Sequence, residues 1–300
     1  MHIGKYEGLG NDFAITSVRE IQDSGHIFNV ETVIDIAKKI CNRNFGIGSD
    51  DLLILDDNNS KYEGFREFVG IKDSDCVMYL INADGSIPEM SGNGIRCFAQ
   101  YANEQGYGTT DSENNITVKV ATLAGLKIVI FNYMESNRCM GKVDMGPAIF
   151  EPHLIPLQSN NNVIKVNVLE KERISYVTNT GIPHWVIPLD SLDELNLDGL
   201  EQLGEALRFD ERFPENTNVN FVYIVNPSKI YGRTIERGVG ETLACGTGIT
   251  AMVASLYKEG LVNAECEVIV SGGIGRARVS DDTTFLYGPM NKIADIDFVL

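Results

Sequence analysis

The sequence predicts an α+β fold of two pseudo-symmetric domains, each a curled, mostly antiparallel sheet around a central helix. Three observations carry this. Residues 236–260 place Cys245 directly before Gly246-Thr247-Gly248, followed by an apolar pattern of helical period (Ile249, Met252, Val253, Leu256, Tyr257) that Gly260 closes. Residues 89–106 repeat the arrangement: Ser91, Gly92-Asn93-Gly94, then Ile95, Phe98, Ala99 and Ala102, with Gly106 as the stop. Ser91 and Cys245 lie 154 residues apart in a chain of 300, the mark of an internal duplication. In both halves, strand patterns outnumber helical ones.

Taken in order, Ile3 to Tyr6 and Phe13 to Thr16 read as strands flanking a Gly8-Leu9-Gly10-Asn11-Asp12 turn. Glu31 to Asn42 has helical spacing, with Val33, Ile36, Ala37 and Ile40 on one face. Leu52 to Leu55 reads as a buried strand, Asp56 to Asp75 as an irregular insertion, and Cys76 to Ile81 as a strand before Asn82-Ala83-Asp84-Gly85. After the Ser91 helix, Ile116 to Ala121, Leu126 to Phe131 and Arg138 to Asp144 form a meander. Pro147, Pro152 and Pro156, with the polar run Ser159 to Asn162, mark a boundary and divide the chain into domains 1–146 and 147–300. The second domain repeats the order. Strands are expected at Val163 to Val168, Ile174 to Thr178 and His184 to Pro188, and a helix at Leu197 to Leu207. Strands follow at Val219 to Val225 and Lys229 to Ile235, then the Cys245 helix, then Cys266 to Val270, Arg276 to Ser280 and Thr283 to Tyr287.

A formal charge of −17 argues against a nucleic-acid or anionic-membrane partner. No apolar run reaches membrane-spanning length, and the N-terminus has no signal-peptide core. The six cysteines show neither C-x-x-C pairing nor zinc-ligand spacing, so free thiols in a reducing cytoplasm and no metal are expected. Homodimer formation is open to such a chain.

Cys245 stands where a loop becomes a helix, among unpaired backbone N–H groups. A thiol there is expected to lose its proton more easily than a free one. Gly246-x-Gly248-x-x-Ala251 fits a loose dinucleotide fingerprint, but meanders rather than βαβ alternation surround it. Cys97 falls well round the Ser91 helix, and Cys41, Cys76, Cys139 and Cys266 lie in apolar patterns, so all five read as core. His184 opens a strand with no second histidine near it, which points to a structural or supporting role. Glu236-Arg237 ends a strand, where a surface ion pair is the plain reading. Asn11, Asn82, Asn93, Asn218 and Asn220 lie at turns or beside the glycine loops. Turn chemistry explains most of them, and as a set they suit a zwitterionic ligand.

These stretches together resemble the diaminopimelate epimerases, amino-acid racemases that use no pyridoxal phosphate. The matching pieces are Gly8-Leu9-Gly10-Asn11-Asp12-Phe13, Asn82-Ala83-Asp84-Gly85-Ser86, Gly92-Asn93-Gly94-Ile95-Arg96-Cys97, Phe213-Pro214-Glu215 with Asn218, and Glu236-Arg237-Gly238-x-Gly240-Glu241-Thr242 running into Ala244-Cys245-Gly246-Thr247-Gly248. The resemblance implies two pseudo-symmetric domains with the site in the cleft between them and no cofactor. It implies that the groups at Ser91 and Cys245 exchange the proton on an α-carbon of a small amino-acid substrate. Gly92, Asn93, Gly246 and Thr247 would hold the reacting carboxylate, and Asn11, Asn82, Asn218, Glu236 and Arg237 the rest of the diamino diacid.

Elementary chemistry points the same way. Inverting a stereocentre needs a proton removed from one face and delivered to the other, which two pseudo-twofold bases suit. Charge building on a carboxylate is held by helix N-termini. The chain departs from the family's pattern at Ser91, where the family has cysteine, at Ile182, where many members carry asparagine, at Asp51, where some carry glutamine, and at Glu7, where histidine is common. Asp51 and His184 are therefore secondary candidates for the pocket. Two alternatives stay open: a racemase, epimerase or dehydratase of the same fold acting on another amino acid, such as a proline derivative, and a binding protein that has lost one base.

Overall fold

The computed structural model describes residues 1–57, 62, 65, 73–135 and 138–300, so most of the irregular insertion expected over Asp56 to Asp75 lies outside the described residues. The chain forms two compact units, Met1–Val143 with Gly288–Leu300, and Asp144–Tyr287.

The first unit runs β1 (His2–Gly8), β2 (Asn11–Ser17), α1 (Val18–Asp23), α2 (Val30–Cys41), β3 (Asp51–Asp56), β4 (Cys76–Asn82), α3 (Gly92–Glu104), β5 (Thr109–Thr110), β6 (Ile116–Thr122), β7 (Gly125–Glu135) and β8 (Arg138–Gly146). A tight turn joins β1 to β2, with Leu9 at φ 56° and Gly10 at φ 81°, the left-handed pair a two-residue hairpin demands. Asn29 caps α2 by accepting from Thr32 N at 2.9 Å, and Lys38 and Lys39 sit in its last turn, where cations suit the helix dipole. The helix buries Val33, Ile36, Ala37 and Ile40 against Leu52, Ile54, Tyr79 and Ile81.

The second unit, after a 3-10 turn at Pro152–Leu154, runs β9 (Val163–Val168), β10 (Lys171–Asn179), β11 (Pro183–Leu189), α4 (Leu192–Leu195), α5 (Leu200–Leu207), β12 (Asn218–Asn226), β13 (Lys229–Glu236), β14 (Gly240–Thr242), α6 (Gly246–Lys258), β15 (Glu265–Val270), β16 (Gly273–Val279) and β17 (Thr284–Asp297). The sequence reading ends the last strand at Tyr287 and leaves residues 288–300 in the second domain. In the structure β17 runs ten residues further, and its Asn291–Asp297 stretch pairs antiparallel with His2–Glu7 of β1. Those residues belong to the first unit.

The duplication is written in the pairings. In the first unit β1–β2, β3–β4, β6–β7 and β7–β8 are antiparallel, while β2–β3 and β4–β6 are parallel. The second unit repeats that order: β10–β11, β12–β13, β15–β16 and β16–β17 are antiparallel, while β11–β12 and β13–β15 are parallel. Parallel neighbours need a crossover, and helices supply each one. The expectation of meanders without βαβ alternation is thus corrected: β13, α6 and β15 form a parallel crossover unit, as do β4, α3 and β6.

The sheets curl round their glycine-turn helices. The helix α3 packs against β1, β2, β3, β4, β6 and β7, and α6 against the corresponding β10, β11, β12, β13, β15 and β16. Accordingly Gly92 to Ala102 are all buried, as are Gly248 to Leu256. Each fully buried Ile, Phe or Met of this core, such as Ile95, Phe98, Ile249 and Met252, contributes roughly 1.5–3 kcal/mol over its exposed state. Among the described residues no helix is long and apolar enough to cross a membrane, and no group of three or more His, Cys, Asp and Glu side chains is placed to hold a metal ion.

Candidate active site

Cys245 is the N-cap of α6. Its backbone is extended (φ −117°, ψ 115°), and its Sγ accepts from the N–H of Gly248 at 3.4 Å. Ser91 is the N-cap of α3 in the same conformation (φ −126°, ψ 124°), with Oγ accepting from the N–H of Gly94 at 3.1 Å. Cap residues prefer this geometry because it satisfies one of the helix's orphan donors. The glycine three residues on is closely hemmed in within the second unit. A Cβ on Gly248 would stand 2.8 Å from Asn220 Oδ1 and 2.9 Å from Thr234 Oγ1.

Around Cys245 the structure assembles a hydrogen-bonded set. The thiol donates to Glu236 Oε2 at 3.1 Å and lies 3.3 Å from Thr247 Oγ1. The Glu236 carboxylate is held by Thr242, whose hydroxyl donates to Oε1 at 2.6 Å. Glu236 ends β13, and the turn to β14 places both its tip glycines at positive φ, Gly238 at 77° and Gly240 at 91°. This fold-back brings Thr242 and Cys245 onto one carboxylate. Glu236 and Arg237 form no ion pair among the described residues. Instead the Arg237 N–H donates to Asn218 Oδ1 at 2.8 Å and its Nη1 to Glu215 O at 3.1 Å.

The expectation that Cys245 loses its proton easily is overturned. Burial pushes the thiol well above its usual value, and the neighbouring Glu236 carboxylate raises it further; the helix N–H of Gly248 and the Thr247 hydroxyl pull the other way and do not prevail. The thiol is only 5% exposed. The sequence shows a helix start but not how deep the cap is buried. In this state Cys245 is a protonated thiol hydrogen-bonded to a carboxylate.

His184 lies next to this set, wholly buried. The Thr234 hydroxyl donates to Asn220 Oδ1 at 2.9 Å, which turns the Asn220 amide N–H toward His184 Nδ1 at 3.1 Å. Nδ1 is therefore an acceptor and Nε2 carries the proton, with no hydrogen-bond partner among the described residues. Burial brings the His184 pKa down to about 3, so the ring is neutral. Asn218, the register partner of His184 across β11–β12, is also buried, and its Nδ2 has no partner among the described residues. Two buried donors thus stand unpaired beside the Cys245 cap, an arrangement rare in interiors unless a ligand completes it. Thr180 fastens the helix start by donating to the Thr247 carbonyl at 2.8 Å.

In the first unit the matching strand ends gather Asn11, Asp51 and Asn82. Asp51 pairs with Asn82 across β3–β4 and with Phe13 across β2–β3. Asn82 closes its own turn, with backbone N–H to Ser86 O at 2.9 Å and Nδ2 to Ser86 Oγ at 2.8 Å. Asn11 donates to Asp50, whose other oxygen accepts from Arg43 at 2.7 Å. Asp12 anchors the same corner through Lys5 and Arg43; burial would raise its carboxyl, but the hydrogen bonds from Arg43 and Lys5 prevail and hold it at about 2. Asn93, buried in the first turn of α3, accepts from Arg96 at 2.9 Å. Within its own unit no carboxylate or imidazole among the described residues hydrogen-bonds Ser91.

The arrangement missing from the sequence reading is the carboxylate of Glu236 on the thiol, with Thr242 and Thr180 as fasteners. The only signal was that Thr242 and Cys245 follow Glu236 closely across a glycine turn. Cys97, expected in the core, is fully buried, and burial pushes its thiol up to about 12. Cys41, Cys76, Cys139 and Cys266 are buried as well.

Comparison with solved structures places the fold. A probable proline racemase from Agrobacterium radiobacter K84 matches over 100% of this chain and 93% of its own, with a TM-score of 0.65 at 13% identity. A phenazine biosynthesis protein of the PhzF family from Bacillus anthracis matches over 100% and 99%, with a TM-score of 0.65 at 14% identity. The protein thus has the fold class these two structures share. The sequence is more specific. The family model described as diaminopimelate epimerase matches residues 3–151 and 176–293. Diaminopimelate epimerases of Desulforapulum autotrophicum and Archaeoglobus fulgidus are 36% and 35% identical, over 91% and 97% of this chain and 89% and 94% of their own. The chain belongs to the diaminopimelate epimerase family.

Proposed function

We propose that this protein interconverts LL- and meso-2,6-diaminopimelate by moving the proton at one α-carbon, a step of lysine biosynthesis carried out in the cytoplasm without pyridoxal phosphate. The observation that carries the reading is the Cys245 thiol, capping α6 and bonded to Glu236 Oε2 at 3.1 Å. A protonated thiol at that place can deliver a proton to a carbanion. In the opposite direction Glu236 is the group within reach to accept the thiol proton, so that sulfur can act as base. Thr242 fixes the carboxylate for either task.

Ser91 would serve the other face of the same carbon, and Gly92, Asn93, Gly246 and Thr247 would receive the α-carboxylate on the first-turn N–H groups of α3 and α6. A free α-carboxylate suits these N–H groups, and the charge that grows on it as the proton leaves is stabilised there more than in water. Arg237, which has one carbonyl partner and no carboxylate among the described residues, suits the distal carboxylate of a diacid, and the unpaired Nδ2 of Asn218 suits a carboxylate oxygen. Asn11 and Asn82 would line the remainder with Asp51 beside them, and His184 would stand behind Asn218.

The test is solvent exchange. Purified protein incubated in deuterium oxide with either diastereomer is expected to place deuterium at the α-position and to equilibrate the LL and meso forms. Absence of incorporation from both diastereomers would defeat the reading. Incorporation from monocarboxylic amino acids in preference to the diacid would move it to another substrate.

A further inference from the structure

Arg96 has no exposed surface, yet it is a cation without a counter-ion. Nη1 donates to Gly92 O at 2.9 Å and Nη2 to Asn93 Oδ1 at 2.9 Å, while Nε has no partner among the described residues. Among the described residues no carboxylate lies within ion-pairing distance of it. Burial lowers its pKa to about 10, which still leaves it charged near neutrality.

The duplicated half explains what this side chain is not for. Five residues after Cys245, where Arg96 stands five after Ser91, the chain has Thr250. Its hydroxyl reaches Gly246 O at 3.3 Å and Thr247 O at 2.9 Å. Both halves therefore tie down the same first-turn carbonyl, and a hydroxyl suffices. The guanidinium adds a charge, and it adds it only at the cap that lacks a carboxylate in its own unit; the Cys245 cap, with Glu236 against the thiol, has the neutral Thr250. A buried charge left unpaired is unfavourable, and the situation is relieved when an anion binds close by.

We propose that Arg96 is a positioning residue: it holds the first turn of α3 through Gly92 and Asn93 and supplies fixed positive charge behind it, so that the reacting carboxylate of the substrate completes its charge balance. This rests on the reading that α3 receives that carboxylate. The effect is larger for the carbanion than for the ground state, because negative charge on the carboxylate grows as the α-proton leaves.

The test compares Arg96→Gln, Arg96→Lys and Gly288→Ala in the full chain, each checked for folding by thermal denaturation. A Cβ at Gly288 would lie 2.6 Å from Nη2 and 3.0 Å from Cζ of Arg96, so this variant shifts the guanidinium without removing it. Wild-type exchange is measured first; its absence would defeat the proposed function and leave the ligand test below standing. Arg96→Gln is expected to lower kcat about 100-fold, with a smaller change in KM, and Arg96→Lys to recover to within about 10-fold of wild type. Gly288→Ala is expected to lower kcat about 10-fold with the charge retained.

A readout that a purely structural role would not move is ligand preference. By calorimetry, wild type is expected to bind diaminopimelate at least about 10-fold tighter than its bis-α-carboxamide, and Arg96→Gln to lose most of that preference. Folded Arg96→Gln with unchanged preference and kcat within about threefold of wild type would overturn the proposal. Should Arg96→Gln fail to fold, wild-type kcat in both Arg96→Lys and Gly288→Ala would overturn it instead.

Discussion

The Sγ of Cys245 lies 3.1 Å from Glu236 Oε2 and donates its proton there. The pair is a buried acid beside a half-buried base, and each changes the other. Burial is the first cause that keeps the thiol protonated; Glu236 adds to it by repelling the thiolate, and also offers the place to which the proton can go. The two roles come apart in one variant. Glu236→Gln removes the repulsion, so the Cys245 pKa is expected to fall, while the proton acceptor is lost and kcat for epimerisation drops about 100-fold or more. Ultraviolet absorbance of the thiolate, read as a difference against Cys245→Ser, measures the first effect. Burial pushes the other five thiols to about 11 or 12, and the difference against Cys245→Ser cancels their signal. An unchanged thiol titration in Glu236→Gln would show that the carboxylate does not govern the sulfur.

Among the described residues the Ser91 hydroxyl has one hydrogen bond, from Gly94, and no base beside it in its own unit. An alcohol in that setting gives up its proton far less readily than a thiol. Ser91→Cys is therefore expected to maintain or raise deuterium incorporation, and Cys245→Ala to abolish it. A clear loss of rate in Ser91→Cys would show that the hydroxyl is the group this site requires.

How much of this could be read from the residues depends on the kind of information. The two glycine-turn helices were legible because a cap, two glycines and a helical apolar stripe coincide at Ser91 and again at Cys245. The helix α1 was missed because Val18–Asp23 follows β2 without a break and is too short to show a period. The far half of β17 was missed because Gly288-Pro289 reads as a stop, and β14 because three residues carry no alternation. Strand direction was not legible at all: Val, Ile and Phe alternate alike in parallel and antiparallel pairs, so the crossovers through α3 and α6 appear only in three dimensions. For the site, position along the chain was legible and depth was not. Arg96 did leave a signal, since it is a lone charge among Ile95, Phe98, Ala99 and Ala102.

Gly248 tests whether the support beneath Cys245 is as close-fitting as it looks. An added methyl would stand 2.8 Å from Asn220 Oδ1 and 2.9 Å from Thr234 Oγ1, two groups hydrogen-bonded to each other at 2.9 Å. Gly248→Ala is expected to destabilise the fold by roughly 1–3 kcal/mol and to lower kcat more than it raises KM, because the cap itself moves. Chemical denaturation and steady-state kinetics check the two parts. Wild-type values for both would mean that α6 can shift without cost.

His184 gives the pH dependence of stability a definite sign. Its folded pKa is about 3, lowered by burial, against about 6.5 in an unfolded chain. Above about pH 6.5 neither state binds the proton and the residue is silent. As the pH falls below that value the unfolded chain takes up a proton that the folded one refuses, so stability declines, by up to about 1.4 kcal/mol per pH unit, until the folded pKa is reached. Asp12, held at about 2, adds a loss only further down, as the pH passes from about 4 toward 2. Between about pH 6 and 4.5 the slope should therefore be dominated by the histidine. His184→Gln is expected to cost some stability at pH 7.5, since the Asn220 bond changes, and to flatten the profile across that window. Urea midpoints measured at half-unit steps decide the matter: equal slopes for the two proteins would mean that the imidazole is reached by water and protonates in place.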